Sequence, residues 1–216
     1  MTNYQQFKSF LNNLAQQYGK NIETNLHEAS FDNSRKPVVY VYEKDRISLN
    51  VINMDVFSQQ VFTKTKYTQT ELSGRKDIND LAIATVDGLI IDKNNEWYFI
   101  EFKNQQISKA KESFVKKAYQ NYYLLLSLFC DYSNKYKNTD FNTEEPLQFA
   151  KKNITYILVV SENENLVDVT RMHNMSLAGE YVRPEYMDKL RHYLFKDAYV
   201  YLPSDFEREF VSKFVY

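Results

Sequence analysis

The segment VDGLIIDKNNEWYFIEFK, residues 86–103, constrains the fold more than any other stretch of the chain. Both of its halves are rich in β-branched and aromatic residues, and KNN between them supplies a turn, so it reads as a β-hairpin. Side chains along a strand alternate between faces. Pairing Asp92 with Glu96 around the turn sets Leu89 opposite Phe99 and Ile91 opposite Trp97 on one face. Asp87 then lies opposite Glu101 on that same face, with Lys103 two residues further on. Ile90, Tyr98, Ile100 and Phe102 make up the other face. A hairpin that is apolar on both faces belongs in the middle of a sheet covered on both sides. Two carboxylates and an ammonium in such a place need a reason.

Carboxylates directly opposed across a strand pair stand roughly 5 Å apart at Cβ. Buried without a partner they repel, and one tends to keep its proton. Lys103 offsets only one charge. A divalent cation would offset the rest, and Mg²⁺ favours one or two carboxylates completed by water and phosphate oxygens. The plainer reading is a structural salt bridge at the end of a sheet, which leaves one acid in excess of bases.

Around the hairpin, Phe7, Phe10, Leu11 and Leu14 recur at helical spacing and predict a helix from residue 3 to about 18, ending before Gly19. Residues 37–43 and 46–57 read as strands, 58–80 is polar and ambiguous, and 81–92 forms the first arm of the hairpin. A helix over 107–129 carries the stripe Phe114, Ala118, Tyr122, Leu125 and Phe129. Residues 131–153 read as a polar loop and 154–161 as a buried strand. A helix near Pro184, a strand at AYVYL and a helix opening at Ser204 with a capping-box pattern then complete the chain. This order predicts an α/β (α+β) fold, with a central mixed sheet flanked by helices.

Asp87, then a turn, then Glu101-x-Lys103 on the returning strand and a long helix after it resemble the PD-(D/E)xK nuclease superfamily. The resemblance covers an αβββαβ core over about residues 1–161 of a single domain, with a C-terminal α–β–α extension over about 162–216. It implies a restriction-endonuclease-like fold, and it implies Mg²⁺ or Mn²⁺ held by Asp87, Glu101 and the Phe102 backbone carbonyl. Lys103 would position the attacking water and stabilise charge developing on the phosphate. The implied substrate is DNA. Val86 stands where the family name has Pro. Family sites often add an acid from an upstream helix, for which Glu71 and Glu28 are available, and some add a Gln and a Tyr from the following helix, where Gln120 has Tyr122 and Tyr123 nearby. Lys116 and Lys117 on that helix are candidates to contact a phosphate backbone.

Composition narrows the remaining classes. The net charge is −1, so nucleic-acid contact would need a local basic patch. Cys130 is the only cysteine, which excludes an intrachain disulfide and assigns it to packing near a helix end. His27, His173 and His192 form no metal or triad pattern, and the lysines of 135–137 and 151–152 read as solvated loop charges. No Gly-rich phosphate loop is present, and 18 Tyr and 15 Phe are assigned to the core. The N-terminus lacks an apolar run of signal-peptide length, and no window reaches membrane-spanning length, so a cytoplasmic protein without a membrane partner is expected. Two functions remain: a DNA nuclease, or a non-catalytic module on the same scaffold that binds a protein, a nucleic acid or a second copy of itself.

Overall fold

The computed structural model describes residues 3–32, 38–43, 49–73, 78–136 and 145–214. Helix α1 (Asn3–Gln17) is followed by β1 (Glu23–Asn25), the one-turn helix α2 (Leu26–Ala29), and a small ribbon of β2 (Phe31–Asp32) and β3 (Val39–Tyr40). Next come β4 (Asn50–Asn53), α3 (Met54–Phe57), a π-helical turn (Ser58–Phe62), α4 (Thr63–Lys66) and α5 (Gln69–Ser73). The hairpin strands are β5 (Gly88–Ile91) and β6 (Trp97–Lys103), and the long helix is α6 (Lys111–Lys135). Helix α7 (Pro146–Asn153), β7 (Ile154–Val160), α8 (Val169–Leu177), α9 (Glu185–Tyr193), β8 (Asp197–Tyr201) and α10 (Pro203–Glu209) follow.

Among the described residues the main sheet has six strands in the order β1-β4-β5-β6-β7-β8. Pairing is antiparallel from β1 to β6, then parallel from β6 to β7 and from β7 to β8, so the sheet is mixed. The hairpin register is the expected one: Gly88 faces Ile100, Leu89 faces Phe99, Ile90 faces Tyr98 and Ile91 faces Trp97. Its turn closes through Asp92, whose carboxylate accepts from the N–H groups of Asn94 and Glu96. Asn95 takes the left-handed conformation at φ 63°, which asparagine tolerates better than most residues.

The alternation of the strands builds two cores. On one face Leu89, Trp97, Phe99, Tyr156 and Leu158 pack against Phe7 and Leu11 of α1 and Phe114, Ala118, Leu125 and Phe129 of α6. On the other, Ile90, Ile100, Phe102, Ile157, Val159 and Tyr201 meet Phe206 of α10 and the following Phe210 and Val211. The C-terminal segment therefore adds an edge strand and roofs the second face of the same sheet. No described helix is long and apolar enough to cross a membrane.

Several boundaries differ from expectation. Residues 37–43 give only the two-residue β3, with Pro37 outside the described residues; of the strand expected over 46–57, residues 46–48 lie outside the described residues and β4 stops at Asn53 instead of running to Phe57. Asn53 caps α3 by accepting from the Val56 N–H, and capping starts a helix despite the β-branched residues around it. The first hairpin arm pairs over 88–91 alone. Helix α6 runs on to Lys135, and α7 occupies 146–153 of the expected loop, with Pro146 pre-set for its first turn. The C-terminal extension is α–α–β–α rather than α–β–α, because α8 forms ahead of the helix expected near Pro184 and buries Met172. Lys151 and Lys152 are thus in the last turn of α7, and Lys137 lies outside the described residues. Helix α10 starts at Pro203 with Leu202 as its cap, and the Ser204 hydroxyl donates to Glu162 instead of forming a capping box. Cys130 is exposed on α6, not packed.

Candidate active site

The loop entering β5 is held from above by α6. The Ala84 N–H donates to Gln120 Oε1 at 3.1 Å, and the Val86 N–H donates to Asn121 Oδ1 at 3.3 Å. Asn121 in turn donates from Nδ2 to the Lys117 carbonyl at 2.7 Å. These bonds fix the backbone on either side of the buried Thr85 and deliver Asp87 to the end of β6. There Asp87 Oδ2 accepts from the Phe102 N–H at 2.6 Å. Along a strand the N–H and C=O of one residue point the same way, and those of the next residue point oppositely. The Lys103 carbonyl accepts from Ser161 on the β7 side, so the Phe102 carbonyl faces the Asp87 side.

Glu101 is fully buried and is gripped by two lysines. Lys103 Nζ stands 2.7 Å from its Oε1, and Lys117 Nζ stands 2.8 Å from Oε1 and 2.9 Å from Oε2. Lys117 also reaches Asp87 Oδ1 at 3.4 Å. Glu101 Oε1 is thus met by both ammoniums, and Oε2 by Lys117 alone. A third carboxylate, Asp55 of α3, accepts from the Thr85 hydroxyl at 2.7 Å.

The electrostatics follow from burial. Desolvation, then the charge of Glu101, pushes the Asp87 carboxyl up to about 7 against the pull of Lys117. Desolvation also raises Asp55, with Lys117 and the Thr85 hydroxyl opposing it. Burial pulls the Lys117 ammonium down, but Asp87, Glu101 and Asp55 together drive it well above its ordinary value. Three carboxylates surround two ammoniums, so the cluster carries an excess of acid when all are ionised.

Asp87, Glu101 and Lys103 are brought together. Lys117, read as a phosphate-backbone contact, instead points inward between the acids, while Lys116 is exposed. Gln120 holds the Ala84 N–H rather than joining the carboxylates. Glu71 accepts from the Thr68 N–H and hydroxyl at the start of its own short helix, and Glu28 is exposed on α2; the upstream acid that joins is Asp55. Its signal in the sequence was Asn53 as a helix cap with Asp55 in the first turn.

The family resemblance implies Mg²⁺ or Mn²⁺ at these groups. Among the described residues no three His, Cys, Asp or Glu side chains group to hold a metal. A divalent ion would instead draw on Asp87, Glu101 and the Phe102 carbonyl, with water or phosphate completing its shell, and this all-oxygen set suits a hard cation. Glu101 Oε1, met by both ammoniums, would exchange part of that contact for the ion. The cavities of about 330, 610 and 760 Å³ are lined by neither carboxylate; the first borders Asn104 and Ser161, just past the end of β6.

Beneath α6 the Tyr156 hydroxyl is buried with no hydrogen-bond partner among the described residues. Its ring packs edge-on to Phe114 at 4.5 Å and stacks on Phe195 at 5.4 Å. Tyr156→Phe keeps both contacts and removes an unsatisfied polar group, so it is expected to stabilise the protein by about 1 kcal/mol. A lower urea midpoint for the variant would show that the hydroxyl donates to a group in the acid cluster.

Comparison with protein-family models, with curated proteins and with solved structures finds no match.

Proposed function

We propose that the chain is a metal-dependent nuclease that hydrolyses DNA phosphodiester bonds on a restriction-endonuclease-like αβββαβ core. The observation that carries this reading is the convergence of Asp87, Glu101 and Lys103 at the end of the paired β5 and β6 strands. Asp87, Glu101 and the Phe102 carbonyl are the groups that would hold Mg²⁺ or Mn²⁺. Such an ion polarises a phosphoryl oxygen and lowers the pKa of bound water. Lys103, tethered to Glu101, orients the attacking water and offsets negative charge that grows on the phosphate. Asp55 acts through Thr85 to hold the strand entry that aims Asp87. Exposed Lys116, one residue before the site lysine on α6, is a contact for the phosphate backbone. Such an enzyme would act in the cytoplasm, in defence against foreign DNA or in repair.

The test is cleavage of supercoiled, linear and single-stranded DNA by the purified chain with Mg²⁺, with Mn²⁺ and with a chelator. Cleavage that appears only with a divalent ion is expected. A chain that binds no divalent ion and cuts none of these substrates is not a nuclease.

A second reading rests on a specific observation: Lys117 already fills the space between the two acids and supplies much of the charge compensation a metal would. On that reading the cluster is a structural ion network, and the scaffold binds a protein, a nucleic acid or a second copy of itself. Absence of divalent-ion binding would favour it.

A further inference from the structure

The position of Lys117 has a consequence for how the acids would take up an ion. Its ammonium lies within 2.9 Å of both Glu101 oxygens and 3.4 Å from Asp87 Oδ1. A divalent ion shared by these carboxylates would bind oxygen at roughly 2.0–2.1 Å if it were Mg²⁺, inside the same small volume. Two cations there would repel strongly, because the site is shielded from water. Lys103 also touches Glu101, but among the described acids it reaches that one only, so it does not stand between the two carboxylates as Lys117 does.

The lysine is also placed to leave. Its backbone is fixed by Asn121, but the flexible four-carbon stem is not, and the side chain keeps 15% exposure. Lys116 beside it is exposed, so solvent reaches this stretch of α6. A cation carried on a helix can hold two repelling carboxylates side by side and then yield to one that binds them more tightly.

Resting on the metal-site reading above, we propose that Lys117 is a tethered counter-ion that holds Asp87 and Glu101 in ligand positions and competes directly with the divalent ion for them. It is a positioning residue, and it sets metal affinity.

The experiment measures Mn²⁺ binding by calorimetry on the full chain for wild type, Lys117→Gln, Glu101→Gln and a control, Lys111→Gln, at an exposed position in the first turn of α6. Lys117→Gln is expected to bind Mn²⁺ about tenfold more tightly than wild type, the Lys111→Gln control to match wild type, and Glu101→Gln to lose binding. Equal or weaker binding by Lys117→Gln, with wild-type binding intact and Glu101-dependent, overturns the competition and leaves the metal site standing. No Glu101-dependent binding by wild type or by Lys117→Gln overturns both. If Lys117→Gln does not fold, the wild-type protein supplies the test. Mass spectrometry after brief amine acylation should find Lys117 protected without metal and at least several-fold more reactive under saturating Mg²⁺, with exposed Lys111 unchanged. Unchanged Lys117 reactivity at saturation overturns the proposal.

Discussion

Glu101→Gln is expected to lower metal-dependent DNA cleavage by a factor on the order of 10²–10³ or more, the scale of losing one preorganised charge contact at a reacting centre. Glu101 is the hub of the cluster, because it is fully buried and touches both lysines. The amide keeps the shape of the side chain but not the negative charge. Glu101→Ala removes shape as well, and its effect on stability is the more informative. Two opposed acids alone would repel, and deleting one would then leave stability unchanged or raise it. With Lys103 at 2.7 Å and Lys117 at 2.8 Å the sign reverses, since the deletion strands two ammoniums that are 18% and 15% exposed. Removing one partner from a buried pair destabilises by about 3–5 kcal/mol, and the partial exposure of the lysines puts this case near about 3 kcal/mol. Chemical denaturation of both variants checks it, and a Glu101→Ala protein as stable as wild type would mean that the lysines do not hold Glu101 in solution. Destabilisation alone does not separate an enzyme from a structural ion cluster. Metal-dependent cleavage by the wild type does.

The hairpin was legible because two independent signals agreed. A period of two ran through both arms, and a polar turn fixed which residues face each other, so Asp87 and Glu101 could be set opposite without coordinates. The order of α9, β8 and α10 was legible for a similar reason, with Pro184 marking a helix start and AYVYL standing out as an apolar run, but α8 was not, because its residues are largely polar and bury only Met172 and Ser176. Asp55 was hidden because INMDVF has strand composition throughout. The Asn53 cap outweighed that composition, and tertiary packing of Met54 and Phe57 did the rest. Helix α7 was hidden by the acidic and lysine-rich residues around its buried Phe149 and Ala150.

Lys117 was misread for a more general reason. A basic run on a helix suggests a solvated face, yet Lys117 falls one turn after Phe114 and one turn before Asn121, both of which are buried. Residues three and four apart share a helix face, so the spacing pointed inward while the residue type pointed outward. A lysine at such a position is tolerated only where acids wait for it. Those acids come from β6, from the residue just before β5 and from α3, separated in sequence by up to dozens of residues, and no local pattern brings them together.

The acids also set how stability responds to pH. The Asp87 carboxyl titrates near about 7 in the folded protein against an ordinary value of 3.8, because burial and Glu101 disfavour its charge. Between those values the folded state keeps a proton that the unfolded state has lost, so the unfolding free energy falls as pH rises. The contribution is intact below about pH 4 and is gone above about pH 7, and it amounts to at most about 4 kcal/mol at 1.36 kcal/mol per unit. Asp55 is shifted in the same direction. Lys117 titrates far above this window and does not contribute to the slope. Asp87→Asn removes the titration while its amide oxygen can still accept from the Phe102 N–H. Urea titrations of the metal-free proteins from about pH 5 to about pH 8 should therefore show wild type losing stability with rising pH and Asp87→Asn nearly flat, with the two curves diverging most at the alkaline end. Mn²⁺ should oppose the wild-type decline, because it binds the carboxylate form and so stabilises the protein more as the proton leaves. Parallel curves for the two proteins would show that Asp87 is already ionised throughout, held so by Lys117, and that the acids form a settled salt bridge with nothing left to offer a metal.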